Sequence, residues 1–234
     1  FSFKDALDID RKELTIKIDF DYNFYGNSIF NWNIGYKRND CPELTDYIDF
    51  FAYFISAGIT GRLSDKTFGG IEFGLQRNNY KTSTDITKPY YTLFFENNFS
   101  KKIKLNFNSN FQIITNSYYD YFAGTLNRAI WGDNRYFEKS VLALNLEYKL
   151  NVNNIIDAGA AFTRKNFNDK LQNINSPVEK VYNYSLGYKY LFKLFSKPSS
   201  IGAAIKFYSL AFENVTPKLA FENTIANLDF KINF

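Results

Sequence analysis

Apolar and polar residues alternate one for one through segment after segment of this chain. Leu14, Ile16, Ile18, Phe20, Tyr22 and Phe24 interleave with Thr15, Lys17, Asp19, Asp21 and Asn23. Successive side chains of a β-strand point to opposite faces, so this stretch has one apolar face and one charged face. The period of two returns at Phe30, Trp32, Ile34 and Tyr36, at Leu142, Leu144, Leu146, Tyr148 and Leu150, and at Ala226, Leu228, Phe230, Ile232 and Phe234. A helical period is almost absent. The chain is therefore expected to be all-β.

The pattern predicts strands near 13–24, 28–38, 47–60, 68–79, 89–99, 102–114, 136–150, 154–165, 180–192, 200–212 and 219–234. Most run to ten residues or more, whereas soluble strands centre on about 5–6 and a tilted membrane strand needs about 9–11. Short connections, such as Tyr25-Gly26-Asn27 and Asn151-Val152-Asn153, alternate with long ones, such as 39–46 and 116–135. Tight turns at one end and long loops at the other are the rhythm of an up-and-down barrel that crosses a bilayer. Bacterial single-chain barrels have even strand numbers, so a twelfth strand is expected at Phe1-Ser2-Phe3-Lys4-Asp5-Ala6, with both termini at the short-turn, periplasmic end. Ten strands with a loose N-terminus is the alternative. No linker or shift in composition divides 1–234, so a single domain is expected.

Alternation alone does not say which face is inside. Strand length favours lipid against the apolar face. So do the Asn, Gln, Lys, Glu and Gly residues of the polar face, which suit a wet lumen. Tyr22, Tyr25, Trp32, Tyr36, Tyr80, Tyr136 and Tyr190 gather near strand ends, where aromatic girdles sit. The competing arrangement is a soluble β-sandwich with the same apolar residues as its core. No run of about 18 apolar residues marks a membrane helix.

Composition removes several functions. The chain of 234 residues has no histidine and one cysteine, Cys41. Histidine-based acid–base catalysis, His-ligated metals, thiolate zinc sites and a disulfide framework are thereby excluded. Lys and Arg total 28 against 24 Asp and Glu, too even a balance for nucleic-acid binding. No signal-peptide pattern opens the chain.

The last seven residues, Leu228-Asp229-Phe230-Lys231-Ile232-Asn233-Phe234, resemble the C-terminal strand of Gram-negative outer-membrane β-barrels, in which alternating apolar residues end in a terminal aromatic. The resemblance implies that Phe230, Ile232 and Phe234 form the signal read by the barrel-assembly machinery. It implies surroundings of outer-membrane lipid and lipopolysaccharide. It covers the superfamily and no subfamily. Outer-membrane phospholipase, lipid A deacylase and omptin barrels all use a histidine, so an enzyme is not expected and no cofactor or metal is called for.

Two smaller constellations read as solvated charge. Asp19 and Asp21 lie roughly 6–7 Å apart on one strand face, a spacing that invites a carboxylate pair. Asp8, Asp10 and Glu13 lack the glycine and the ligand count of a calcium loop. More informative is the polar face as a whole. Asp19, Asp21, Glu72 and Glu96 mark its early strands, with Lys17, Lys37 and Arg62 among them, while Lys102, Lys104, Lys149, Lys189, Lys206 and Lys231 mark its later ones against Glu147, Asp157 and Asp229. In an up-and-down barrel this sets an acid-leaning wall against a base-leaning one across the pore, a transverse field that filters by charge. Tyr90, Phe94 and Tyr208 are expected to narrow the lumen. The long loop carries Tyr118, Tyr119, Tyr121 and Trp131, a candidate constriction, solute platform or partner surface. These readings point to an outer-membrane, porin-like channel for passive diffusion of small hydrophilic solutes. The alternative is a non-conducting structural or interaction barrel: an adhesin, an envelope-complex component or a translocator domain.

Overall fold

A computed structural model describes residues 12–24, 26–40, 50–80, 85–115, 136–167, 178–194, 197–213 and 220–232. Within them the chain forms β1 (Lys12–Phe24), β2 (Ser28–Asp40), β3 (Phe50–Ser64), β4 (Thr67–Tyr80), β5 (Ile86–Asn98), β6 (Ile103–Thr115), β7 (Tyr136–Lys149), β8 (Asn154–Phe167), β9 (Val178–Leu194), β10 (Lys197–Glu213) and β11 (Ala220–Ile232). All eleven pair in sequence order in one sheet. Each ladder is antiparallel. No ladder joins β1 to β11, so among the described residues the sheet is open. The count differs from the twelve or ten strands expected; the strand foreseen at Phe1–Ala6 lies outside the described residues.

The cross-strand register is staggered. One unbroken row of partners runs Asp21, Asn31, Gly58, Glu72, Thr92, Asn110, Val141, Thr163, Val181, Leu210, Phe221. It starts near the short-turn end of β1 and arrives at the long-loop end of β11. A register that climbs steadily from strand to strand is what inclined barrel strands require.

The same register aligns the apolar residues into one face. Ile18 sits opposite Ile34, Ile34 opposite Ile55, and Ile55 opposite Leu75. Farther on, Leu105 meets Leu146, and Ile201 meets Phe230. Aromatic pairs reinforce it, with Phe20 stacked on Trp32 at 4.2 Å and Phe192 facing Phe230 at 6.3 Å. Nothing covers this face among the described residues. Ile16 is 53% exposed, Leu144 45% and Phe230 61%, whereas Asn33 and Ser56 of the polar face are 4% and 3% exposed. Side chains crowd on the polar side and stand free on the apolar side, as on the inside and outside of a curled sheet. A sandwich would need a second sheet over the apolar face, and all eleven strands belong to the first. Burying one large apolar side chain is worth about 1.5–3 kcal/mol. More than twenty half-exposed ones therefore leave a surface on the order of tens of kcal/mol short of its apolar environment.

Short turns are built from local hydrogen bonds. Gly26 takes φ 66°, a left-handed conformation that favours glycine, between β1 and β2. Ser100 Oγ accepts the Lys102 and Ile103 amides at 3.1 Å before β6. Asn151 Oδ1 accepts the Asn153 and Asn154 amides at 2.9 Å before β8. The connection between the strands expected at 47–60 and 68–79 is shorter than foreseen. Gly61 forms a rung with Gly69, the register shifts between Arg62 and Ser64, and only Asp65 and Lys66 turn. Strand β10 likewise begins at Lys197, with Pro198 inside it.

Candidate functional site

The polar face of the sheet is the candidate site. Strand parity and register put Asp19 and Asp21 of β1, Glu72 of β4, Glu96 of β5, Lys104 of β6, Lys149 of β7, Lys189 of β9, Lys206 of β10 and Lys231 of β11 all on it. Lys102 precedes β6 in the turn, where its carbonyl accepts the Lys149 amide at 2.8 Å. Tyr118, Tyr119, Tyr121 and Trp131 lie outside the described residues, as does Phe234. Phe230 is on the apolar face, and Ile232 forms the terminal rung with Ser199.

The acids and lysines do not face each other as two bare walls. Lys104 and Glu96 sit on adjacent strands with Nζ 3.0 Å from Oε1. Lys17 holds Asp19 at 2.6 Å and Lys149 lies 3.7 Å from Glu147. Toward the long-loop end, Lys165 pairs with Glu179 at 3.0 Å and stands 5.6 Å from the Phe137 ring centre. The Glu72 carboxylate is engaged by Ser56, whose Oγ is 2.5 Å from Glu72 Oε1 and 2.8 Å from Asn33 Oδ1. A hydroxyl has one proton, so it serves one of these acceptors at a time. Local pairing of this kind weakens the transverse field that separated charges would make. Among the described residues, Lys189, Lys206 and Lys231 have no carboxylate partner, and Asp21 has no cation. The three lysines occupy three neighbouring strands. Taking strand spacing and rise, Lys189 and Lys231 are about 12 Å apart and Lys206 about 14 Å from Lys189. The unpaired charge of the polar face is thus three lysines on β9–β11, with the equally unbridged Asp157 of β8 and Asp229 of β11 beside them and Asp21 apart on β1.

Glycines set the depth of this face. Gly35 is the direct partner of Phe54, Gly70 of Phe94 and Gly74 of Tyr90. A Cβ on Gly35 would come 2.0 Å from Phe54 Cζ, and one on Gly74 would come 2.3 Å from Tyr90 Cζ. Each ring therefore lies flat across the missing side chain opposite. Tyr90 and Phe94, expected to project into the lumen, are laid along the wall instead. Asp157 covers Gly187 in the same way, with Oδ2 2.5 Å from the Cβ position. The sequence shows the glycines and the aromatics, but only the register reveals that they are opposite one another.

A second feature was not anticipated. On β7–β11 the polar face gains apolar residues toward its long-loop end, with Val141, Val181, Leu210 and Phe221 in one row interrupted by Thr163 of β8. The lysines of these strands lie on the short-turn side of that row, except Lys139, Lys165 and Lys180. Among the described residues no three acidic or cysteine side chains converge as metal ligands.

No family model matches the sequence, and no curated protein matches it. Among solved structures, the chain superposes on the FrpB iron transporter from Neisseria meningitidis (F3-3 variant) with a TM-score of 0.57 at 9% identity. The likeness is one of fold. It covers 91% of this chain and 42% of the transporter, so the chain spans less than half of the length of the protein it matches.

Proposed function

We propose that the sheet is the wall of a Gram-negative outer-membrane β-barrel, of about twelve strands, through which small hydrophilic solutes diffuse passively. The observation that carries the membrane reading is the continuous, uncovered apolar face over eleven antiparallel strands, backed by a crowded polar face. Water does not tolerate such a face, and a bilayer does. The fold likeness to an iron transporter supports a barrel and carries no substrate across to this chain. Support for diffusion is more local. Rings laid flat over glycines leave room inside the wall, and the unpaired Lys189, Lys206 and Lys231 would draw anions toward it. No histidine is available for catalysis, so no enzymatic role is proposed.

The second reading is a non-conducting barrel that holds or recognises a partner. The row Val141, Val181, Leu210 and Phe221 favours it, because a water-filled pore has no use for an apolar inner patch. Purified, folded protein in planar bilayers separates the two. Stable conductance steps whose ion selectivity changes with Lys189→Glu and Lys206→Glu support diffusion; a silent bilayer supports the partner-holding barrel.

A further inference from the structure

We infer that the polar face of β1–β5 carries a binding site for a primary or secondary alkylammonium ion, seated on the Glu72 carboxylate between the rings of Tyr90 and Phe94. The site needs a polar face that solutes can reach and does not need the barrel to conduct, so it goes beyond the diffusion proposed above.

Its first support is a surplus of acceptors. Asp21, Asn31, Gly58 and Glu72 form one row across four strands, and Asp19, Asn33, Ser56 and Gly74 form the next row toward the long loops. Gly58 has no side chain, and the Asn31 amide takes up the room: its Oδ1 lies 2.8 Å from where a Cβ of Gly58 would stand. That oxygen is buried and meets no donor. In the next row Asn33 is 4% exposed, and its Oδ1 competes with Glu72 Oε1 for the single proton of Ser56, so one of the two goes without. An end-for-end turn of the Asn33 amide would supply Ser56 with one donor and leave Asn31 Oδ1 bare. Asn110, reached from Glu72 through Thr92 in the same row, also has a buried Oδ1 with no donor. Bare buried acceptors are costly, and every group missing here is a donor.

The second support is charge. Glu72 and Asp21 have no cation partner among the described residues, and Lys17 of the same arc is held by Asp19 at 2.6 Å. A neutral hydroxyl would serve the amide oxygens and leave the carboxylates unpaired. A donor that also carries positive charge answers both needs, and its hydrogen bonds to a carboxylate are the strong kind.

The third support is the setting. The Tyr90 ring lies over Gly74 and the Phe94 ring over Gly70, whose Cβ position is 2.7 Å from Phe94 Cε1. Along β4 the order is therefore ring, Glu72, ring, in steps of about 7 Å. Both rings are partly exposed, with a glycine under one face and the lumen before the other. A ring face attracts a cation and accepts methylene groups. An ammonium group on Glu72 would thus lay its carbon chain across a ring on either side. A metal ion has no use for the rings, and a quaternary ammonium has no N–H for the amide oxygens.

Isothermal titration calorimetry on the full chain, folded in lipid nanodiscs, tests the inference with 1,4-diaminobutane as the probe and tetramethylammonium and glucose as comparisons. Saturable binding of the diamine is expected, at least about tenfold tighter than that of either comparison. Glu72→Gln should weaken it at least about tenfold, and Tyr90→Leu and Phe94→Leu about threefold or more each. Glu147→Gln, which removes a carboxylate of β7 paired with Lys149, should change it less than about twofold. Absence of saturable binding overturns the inference. So does equal binding of glucose, which needs no charge, or of tetramethylammonium, which needs no acceptor. Equal loss in Glu72→Gln and Glu147→Gln also overturns it, because the attraction would then belong to the charge of the whole face. If Glu72→Gln fails to fold, Asn31→Ala and Tyr90→Leu carry the test, and undiminished binding in both overturns it. A folded chain that is silent in planar bilayers defeats diffusion and leaves this site standing, whereas one that conducts and binds no diamine defeats the site alone.

Discussion

Substituting Gly35 with alanine tests whether the wall is built by rings lying across glycines. The added methyl would stand 2.0 Å from Phe54 Cζ and 2.5 Å from Cε2. Carbon atoms prefer about 3.5–4.0 Å, so the ring must retreat by about 1.5 Å or more. Overpacking of this kind costs about 1–3 kcal/mol. With Phe54→Ala in the background the methyl's three nearest contacts, all on that ring, are gone. There alanine should be better than glycine by about 0.5–1 kcal/mol, because glycine loses more freedom on entering a strand. The sign of Gly35→Ala thus reverses between the two backgrounds, and the cycle should return a coupling of about 1.5–4 kcal/mol. Reversible urea unfolding in lipid reads it, followed by tryptophan fluorescence, to which Trp32, stacked on Phe20 on the other face of β2, contributes. Equal destabilisation by Gly35→Ala in both backgrounds would refute the reasoning, since the cost would then come from the backbone and not from the ring. Conductance offers a second readout: Gly35→Ala should lower it as the ring rises from the wall, and Phe54→Ala should restore it.

Other outcomes follow from the same geometry. Leu144→Arg places a charge in the middle of the apolar face and should cost about 2–4 kcal/mol of stability in lipid; a neutral result by urea titration would contradict a bilayer against that face. Glu96→Gln removes the partner of Lys104, but both side chains are over a third exposed, so stability should change by less than about 1 kcal/mol. Anion preference in reversal-potential measurements should nonetheless rise, and an unchanged potential would place Lys104 outside the ion path. Gly26→Ala forces a side chain into the left-handed region at the first short turn and should cost about 1 kcal/mol in the same titration, with Gly26→Asn milder; equal costs would mean that the turn relaxes.

Much of the fold was legible in the sequence, because a strand with one apolar and one polar face writes its period directly into the chain. Leu14 to Phe24 and Leu142 to Leu150 announce strands, and Gly26-Asn27 and Asn151 announce turns, through local chemistry alone. Where local chemistry was ambiguous the boundaries slipped: Gly61 falls outside the strand expected at 47–60, yet it pairs with Gly69 across a rung. The candidate site was legible as a set of residues and not as an arrangement. Residue identity placed Lys104 and Glu96 on the polar side, but a period of two cannot tell whether two charges oppose each other across a pore or meet side by side. Register decides that, and register depends on which residues of different strands come level. It put Lys104 3.0 Å from Glu96, left Lys189, Lys206 and Lys231 unpaired among the described residues, and set Phe54 over Gly35. Strands, faces and the alternation of short and long connections are written in neighbours along the chain. Which charges cancel and which rings lie flat emerges only on folding, because those are relations between residues that the chain keeps far apart.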